Sequence, residues 1–445
     1  MAIELSHIIF TDQDDIVPLS GVEKIVNTGI ANTLAGNDVI TGTGGEYGFV
    51  NVSTFNTSDG DDTITGTGTY GLLNDKPGTF NTGDGNDIIT GTGIIDGIIN
   101  GGIINTGNGE DSIICQRNFN NLYSEFLESG GIFLGNGNDS IIVLDTDDTD
   151  FPKRVLENFS IIETGDGDDV ITSTGFIYNE GTINTGNGND FIIVDLIGDT
   201  NPFGWALENS NTIETGDGND ILISTRVIYN EGTINTGNSE DSILSQGRLD
   251  NSGGVFLGGG NDSIIVDLID TNFPDVALSN LNVLETGDGN DIITTTGVIY
   301  NEGVIETGNG DDSIIVDGGV NGTGMGYGIY NNGGSIYTGD GNDSLIANEG
   351  FQSSFNTSGS VFLGDGGDYL KGFGGGDFYG GNNRDILELT PGNYTVEIRD
   401  TTVTFTINNV RMITSEFEQL IAGSSMYHIA GLTDGQTIVV AWSEK

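Results

Sequence analysis

Fourteen short acidic loops carry the residues of this chain best placed to do chemistry. Each reads roughly Thr/Leu-Gly-Asp/Asn-Gly-Asn/Asp-Asp and runs into a short β-branched stretch such as Ile-Ile. Clear copies occupy 82–87, 134–139, 164–169, 185–190, 215–220, 257–262, 286–291, 307–312 and 338–343. Weaker ones stand at 34–38, 57–62, 106–111, 236–241 and 363–368. The closing residues are Asp38, Asp62, Asp87, Asp111, Asp139, Asp169, Asp190, Asp220, Asp241, Asp262, Asp291, Asp312, Asp343 and Asp368. A glycine at every second place lets the backbone turn sharply and aim carbonyl oxygens inward, and the closing aspartate adds a carboxylate. Such a donor set suits Ca2+, which takes about six to eight oxygen ligands in flexible geometry and needs neither histidine nor cysteine.

The rest of the composition fits a cation-binding role and little else. The 445 residues include 66 Asp+Glu against 12 Lys+Arg, a formal charge of −54, which argues against nucleic acid as a partner and calls for counter-ions. One row of fourteen stacked loops leaves about thirteen gaps, and a divalent ion in each would offset about 26 of those charges. Only two histidines, His7 and His428, occur, at opposite ends of the chain, so neither a histidine metal site nor a Ser-His-Asp triad is expected. The single cysteine, Cys115, allows no internal disulfide and reads as a small buried apolar side chain. No apolar run is long enough for a membrane span, and Met-Ala-Ile-Glu-Leu-Ser-His lacks the basic and apolar stretches of a secretory signal.

The elements that position the loops follow from their spacing. Successive closing aspartates lie 21 to 31 residues apart, about 25 on average, the period of one solenoid coil. The shortest interval contains VITST, Gly175, FIYN, Glu180-Gly181 and TIN, which are short strands separated by glycine corners. The fold expected is therefore all-β, a right-handed parallel β-solenoid of about fourteen coils, with two or three strands per coil and stacked isoleucines inside. At strand spacing this gives an elongated rod on the order of 65 Å. The longer coils carry related inserts at 145–160, 195–210 and 267–282. The pattern decays over 372–385, and strands at Tyr394–Arg399, Val403–Ile407 and Val410–Ile413 follow in a segment richer in basic residues. This divides the chain into an N-terminal cap at 1–33, a calcium-binding solenoid at 34–385 and a β-rich C-terminal cap at 386–445, the last a candidate export signal.

The loops resemble the repeats-in-toxin (RTX) nonapeptide, Gly-Gly-x-Gly-x-Asp followed by an apolar residue, and the resemblance covers roughly 34–385. It implies that the fourteen aspartates are side-chain ligands of multiple Ca2+ ions. It also implies that carbonyls around Gly83, Gly85, Gly135, Gly137, Gly165, Gly167, Gly186, Gly188, Gly216 and Gly218 complete the shells in the first part of the row. Those around Gly258, Gly260, Gly287, Gly289, Gly308, Gly310, Gly339 and Gly341 would do the same in the rest. The chain departs from the family pattern in two ways: the first glycine is usually Thr or Leu, and there is one acidic loop per coil. A wider, three-sided cross-section with calcium at one corner is the expectation that follows. Asp59 and the loops at 34–38 and 236–241 are irregular.

The resemblance also implies export by a one-step exporter that needs no N-terminal signal. The leading functional expectation is a secreted, extracellular, calcium-ordered structural protein of the cell surface, such as a layer, fibre or adhesin component. End-to-end homo-oligomers and cell-surface polysaccharide are its candidate partners. A polysaccharide-acting enzyme is the first alternative. Its candidate residues, Arg226, Tyr229, Tyr178 and Tyr300, read better as a coil-to-coil aromatic ladder, so no catalytic residue is assigned. The second alternative is an ice- or carbohydrate-binding face. It would rest on Thr-x-Thr at 41–43, 65–67, 90–92, 172–174 and 294–296, or on Phe203 and Trp205.

Overall fold

Alternation of β-branched residues with small polar ones, broken by glycine corners, builds coils of two or three strands. A computed structural model describes residues 2–18, 23–122, 130–144, 154–196, 204–268, 276–318, 327–353 and 358–441. Strands dominate, two three-residue 3-10 turns at Leu5–His7 and Ile429–Gly431 are present, and no α-helix occurs among the described residues. The chain forms two compact units, Met1–Arg226 with Gly232–Thr236, and Val227–Glu231 with Gly237–Lys445.

In the first unit, Val170–Ser173, Phe176–Asn179 and Thr182–Asn184 make one coil. The next is Phe191–Val194, Trp205–Asn209 and Thr212–Glu214. The two pair in parallel, Val170 with Phe191, Ile177 with Leu207 and Thr182 with Thr212. The second unit repeats this, Ser263–Val266, Val276–Asn280 and Val283–Glu285 pairing in parallel with Ile292–Thr295, Val298–Asn301 and Val304–Glu306. Both units are thus parallel β-solenoids, with two or three strands per coil: in the first unit Thr63–Asn74, Ile88–Asn100 and Ser112–Asn121 each run the first two strands together.

The inward positions of the first strand include Ile40, Ile64, Ile89, Ile113, Ile141, Ile171, Ile192 and Leu222 in the first unit, and Ile243, Ile264, Ile293, Ile314 and Leu345 in the second, all buried. Stacking identical β-branched side chains at strand spacing removes them from water with little loss of rotamer freedom. Cys115 lies buried in this core, where burial pushes its thiol well above the ordinary range.

The ends differ from the coils. Ala2–Glu4 and Ile16–Val17 already pair in parallel with Lys24–Asn27 and Val39–Thr43, so stacking begins inside 1–33. Ile386–Leu389 still pairs in parallel with Tyr369–Lys371, and antiparallel pairing enters from Gly392. Gly392–Arg399 lies between Thr402–Ile407 and Thr437–Val440, and Thr402–Ile407 also pairs with Val410–Ser415. Val410–Ser415 and Gln419–Ala422 then pair in parallel with the last coil.

Two corners are held by buried polar ladders. From Lys24–Asn27 to Ile329–Asn331 the stretch before one of them ends in asparagine, whereas Phe351–Gln352 ends in glutamine. In the first unit these asparagines are Asn27, Asn51, Asn74, Asn100, Asn121, Asn158, Asn179 and Asn209, each donating its amide to the oxygen of the next at 2.7–2.9 Å. Asn230, Asn251, Asn280, Asn301 and Asn331 are laddered in the same way in the second, at 2.9–3.0 Å. The amides also reach a carbonyl of the following coil, as Asn121 does at Ile161, so a buried polar group at this corner is satisfied only when its neighbours are in register.

Candidate metal centre

The acidic loop forms the corner that leads from the third strand of one coil into the first strand of the next. Its second and fourth residues hold positive φ, as at Gly186 (+96°) and Gly188 (+142°). Adjacent loops also stack so closely that a Cβ on Gly188 would stand 1.7 Å from the carbonyl oxygen of Gly167. Glycine is required there twice over, by backbone conformation and by the approach of the coil beneath.

Where glycine is missing the conformation persists. Leu34 (+74°), Ser58 (+72°) and Ser239 (+100°) take positive φ in its place. The first loop is therefore a full six-residue copy, Thr33–Asp38, with Leu34 in the glycine position. A further loop, unread in the sequence, spans Gly380 to Asp385, with Gly381 (+107°) and Asn383 (+89°) in the two turning positions. Its Gly-Gly-Asn-Asn-Arg-Asp spelling hid it, since only the closing aspartate and one turning glycine match.

The first loop residue points inward. Thr82 donates its hydroxyl to the carbonyl of Thr106, Thr185 to that of Thr215 and Thr307 to that of Thr338. Leu134, Leu257 and Leu363 fill the same buried place. This explains the departure from a leading glycine: the position is a core contact.

The closing aspartates form one column in each unit, and all are buried. In the first unit the N–H of Asp38 donates to Asp62 Oδ1, and the relation repeats through Asp87, Asp111, Asp139, Asp169, Asp190 and Asp220 at 2.7–2.8 Å. In the second it runs from Asp241 through Asp262, Asp291, Asp312, Asp343, Asp368 and Asp385 at 2.7–2.9 Å. Oδ1 is thereby satisfied. Oδ2 of Asp38, Asp62, Asp87, Asp111, Asp139, Asp169, Asp190, Asp262, Asp291, Asp312, Asp343, Asp368 and Asp385 is buried with no hydrogen-bond partner.

Burial therefore pushes the carboxyls of Asp87, Asp139, Asp190, Asp262, Asp312 and Asp368 up to about 7, and those of Asp62, Asp220 and Asp385 up to about 6. The hydroxyl of the loop's own threonine, at Asp62, Asp87, Asp190, Asp220 and Asp312, and the N–H bonds from the preceding coil pull the other way, and neighbouring carboxylates add to the rise.

The fifth loop residue points outward and is laddered in the opposite sense. The N–H of Asn189 donates to Asp168 Oδ1 of the preceding coil at 2.8 Å, and that of Asn342 to Asp311 Oδ1 at 2.7 Å. One carboxylate row thus faces the core and another row of Asn and Asp faces solvent.

A row of buried carboxylate oxygens without hydrogen-bond donors fits a hard divalent cation. Among the described residues no three His, Cys, Asp or Glu side chains converge. An ion would therefore take carboxylates from neighbouring coils and make up its shell with backbone oxygens. The expected inward carbonyls need one correction. Those of Gly165, Gly258, Gly287 and Gly308 point along the stack and accept an N–H of the next coil, at 2.9–3.2 Å, because parallel stacking uses that direction for its ladder.

The other candidate residues disperse. Tyr178 stands in register between Glu157 and Glu208, and Tyr300 between Ser279 and Tyr330. Of the expected coil-to-coil aromatic ladder, the described residues show Tyr178 against Phe159, at 5.7 Å between ring centres, and Tyr300 against Tyr330, at 5.4 Å, while Tyr229 pairs in register with Asp250. Thr41, Thr65 and Thr90 pair in register, as do Thr43, Thr67 and Thr92, but Ile114 and Gln116 follow them. Thr172 lies between Ile142 and Ile193, and Thr294 between Ile265 and Ile315. Trp205 is exposed, whereas Phe203 lies outside the described residues.

No protein-family model matches the chain, and no curated protein does. Among solved structures it is similar to the crystal structure of a hyperactive, Ca2+-dependent, β-helical antifreeze protein from an Antarctic bacterium. That similarity has 17% identity and a TM-score of 0.41, over 95% of this chain and 96% of that one.

Proposed function

We propose that the chain is an extracellular structural protein whose parallel β-solenoid is loaded and stabilised by Ca2+ along its columns of closing aspartates, in the manner of RTX proteins. The observation that carries this reading is the buried, unpartnered Oδ2 repeated from coil to coil. Carboxylates removed from water and stacked at strand spacing repel one another unless protons or cations intervene, and a formal charge of −54 makes the demand general. Metal binding is then folding free energy, so the chain stays open where free calcium is low and folds after export where it is millimolar. The role is architectural, with no catalytic step. The solvent-facing residues would meet cell-surface polysaccharide or further copies of the chain.

Far-ultraviolet circular dichroism and sedimentation of the purified chain, first in EGTA and then in millimolar calcium, test the proposal. Conversion of an expanded chain into a compact β-rich one is expected. Equal folding in EGTA, with no calcium-dependent rise in melting temperature, would overturn it and leave the loops as tight turns.

A further inference from the structure

The aspartate column of the second unit ends in a substitute. The N–H of Asp385 donates not to another aspartate but to Glu418 Oε2, at 2.8 Å, and the carbonyl of Asp385 accepts the N–H groups of Glu418 and Gln419. Register explains the change of residue. Tyr379 pairs with Ser415 and Ile386 with Gln419, so the six loop residues 380–385 are matched by only three, 416–418. A shortened turn cannot bring an aspartate to the column, but the longer arm of a glutamate reaches it. Glu418 therefore stands where the next closing aspartate would.

The surroundings of Asp385 Oδ2 are also altered. This oxygen is buried and unpartnered, like its counterparts. The first loop residue, a core-facing Thr or Leu in the regular coils, is here Gly380. The space left is filled by the backbone of Glu416, which takes a left-handed conformation at φ +65°. A Cβ on Gly380 would stand 2.9 Å from Asp385 Oδ2 and 2.3 Å from the carbonyl oxygen of Glu416. Those two oxygens thus lie within about 5 Å of each other, the span that one calcium ion can bridge with bonds of about 2.3–2.6 Å.

We propose that Asp385 Oδ2, the carbonyl of Glu416 and the carboxylate of Glu418 form a terminal site for a divalent cation of calcium's size, and that its occupation clamps the C-terminal antiparallel strands onto the last coil. The site rests on the calcium reading of the aspartate columns but differs from them in drawing its ligands from two kinds of structure, a solenoid loop and the segment that covers it. Filling it couples the order of the C-terminal segment to calcium.

Hydrogen exchange of the full chain, read by mass spectrometry with and without millimolar calcium, decides the matter. In the wild type, calcium should slow exchange of peptides spanning 410–422 at least tenfold. Asp385→Asn and Glu418→Gln keep a hydrogen-bond acceptor and remove the charge, so each should abolish that gain, while Asp190→Asn in the first unit should retain it. Retention of the full gain in both Asp385→Asn and Glu418→Gln overturns the terminal site and leaves the calcium columns standing. Absence of any calcium effect anywhere in the wild type overturns both readings. Should either variant fail to fold, the wild type still decides: calcium protection at 163–220 without any at 410–422 also overturns the terminal site.

Discussion

The N–H of Asp169 donates to Oδ1 of Asp190, 2.8 Å away in the next coil, and leaves Oδ2 of Asp190 buried without a partner. One half of the carboxylate is committed to holding coils in register, while the other half is available to a cation. The two roles respond differently to substitution.

Asp190→Asn keeps an oxygen for the Asp169 N–H but removes the charge. In EGTA the melting temperature should stay level or rise, because a buried charge has been deleted. In millimolar calcium it should fall by a few degrees, because one carboxylate ligand is lost. Paired thermal melts check this, and a fall in both conditions would mean that the residue acts through packing alone.

The pH dependence should reverse sign with calcium. Without metal, carboxyls such as Asp87 and Asp312 are held near 7 in the fold, above the ordinary carboxylate range. The folded chain therefore binds more protons than the unfolded one across that interval, and its stability falls as pH rises from about 4 to about 7. With calcium the ion takes the proton's place, and affinity rises over the same interval. Chemical denaturation at pH 5 and pH 8, in EGTA and in calcium, should give curves that cross.

Gly188→Ala places a methyl group 1.7 Å from the Gly167 carbonyl oxygen at φ +142° and should cost at least about 3 kcal/mol, or prevent folding. Gly45→Ala is the matched control, since nothing lies within 4 Å of the added carbon and a change within about 0.5 kcal/mol is expected. Urea unfolding in calcium distinguishes them.

Asn121→Ala breaks a buried ladder. It removes the acceptor of Asn100 and the donor to both Asn158 and the Ile161 carbonyl. Orphaned buried groups of this kind cost about 2–4 kcal/mol in total. Exchange protection should drop first in the coils on either side of Asn121, with calcium unable to restore it.

Much of this was open to reading along the chain. Loop spelling, β-branched alternation and glycine corners are local properties, so they identify parallel coils, the inward isoleucines and the closing aspartates without reference to distant residues. What lay beyond the sequence concerns relations between coils. The asparagine ladders join residues 21 to 37 positions apart, and a buried asparagine becomes a structural element only once its partners stack. The same holds for the opposed ladders of the fifth and sixth loop residues and for Glu418 standing in for an aspartate after a shortened turn. Composition and period determined that this chain would wind into acidic coils. Register between coils, set by variable corner lengths and by hydrogen bonds across the stack, decided which carboxylate oxygens are satisfied and which are left for a cation.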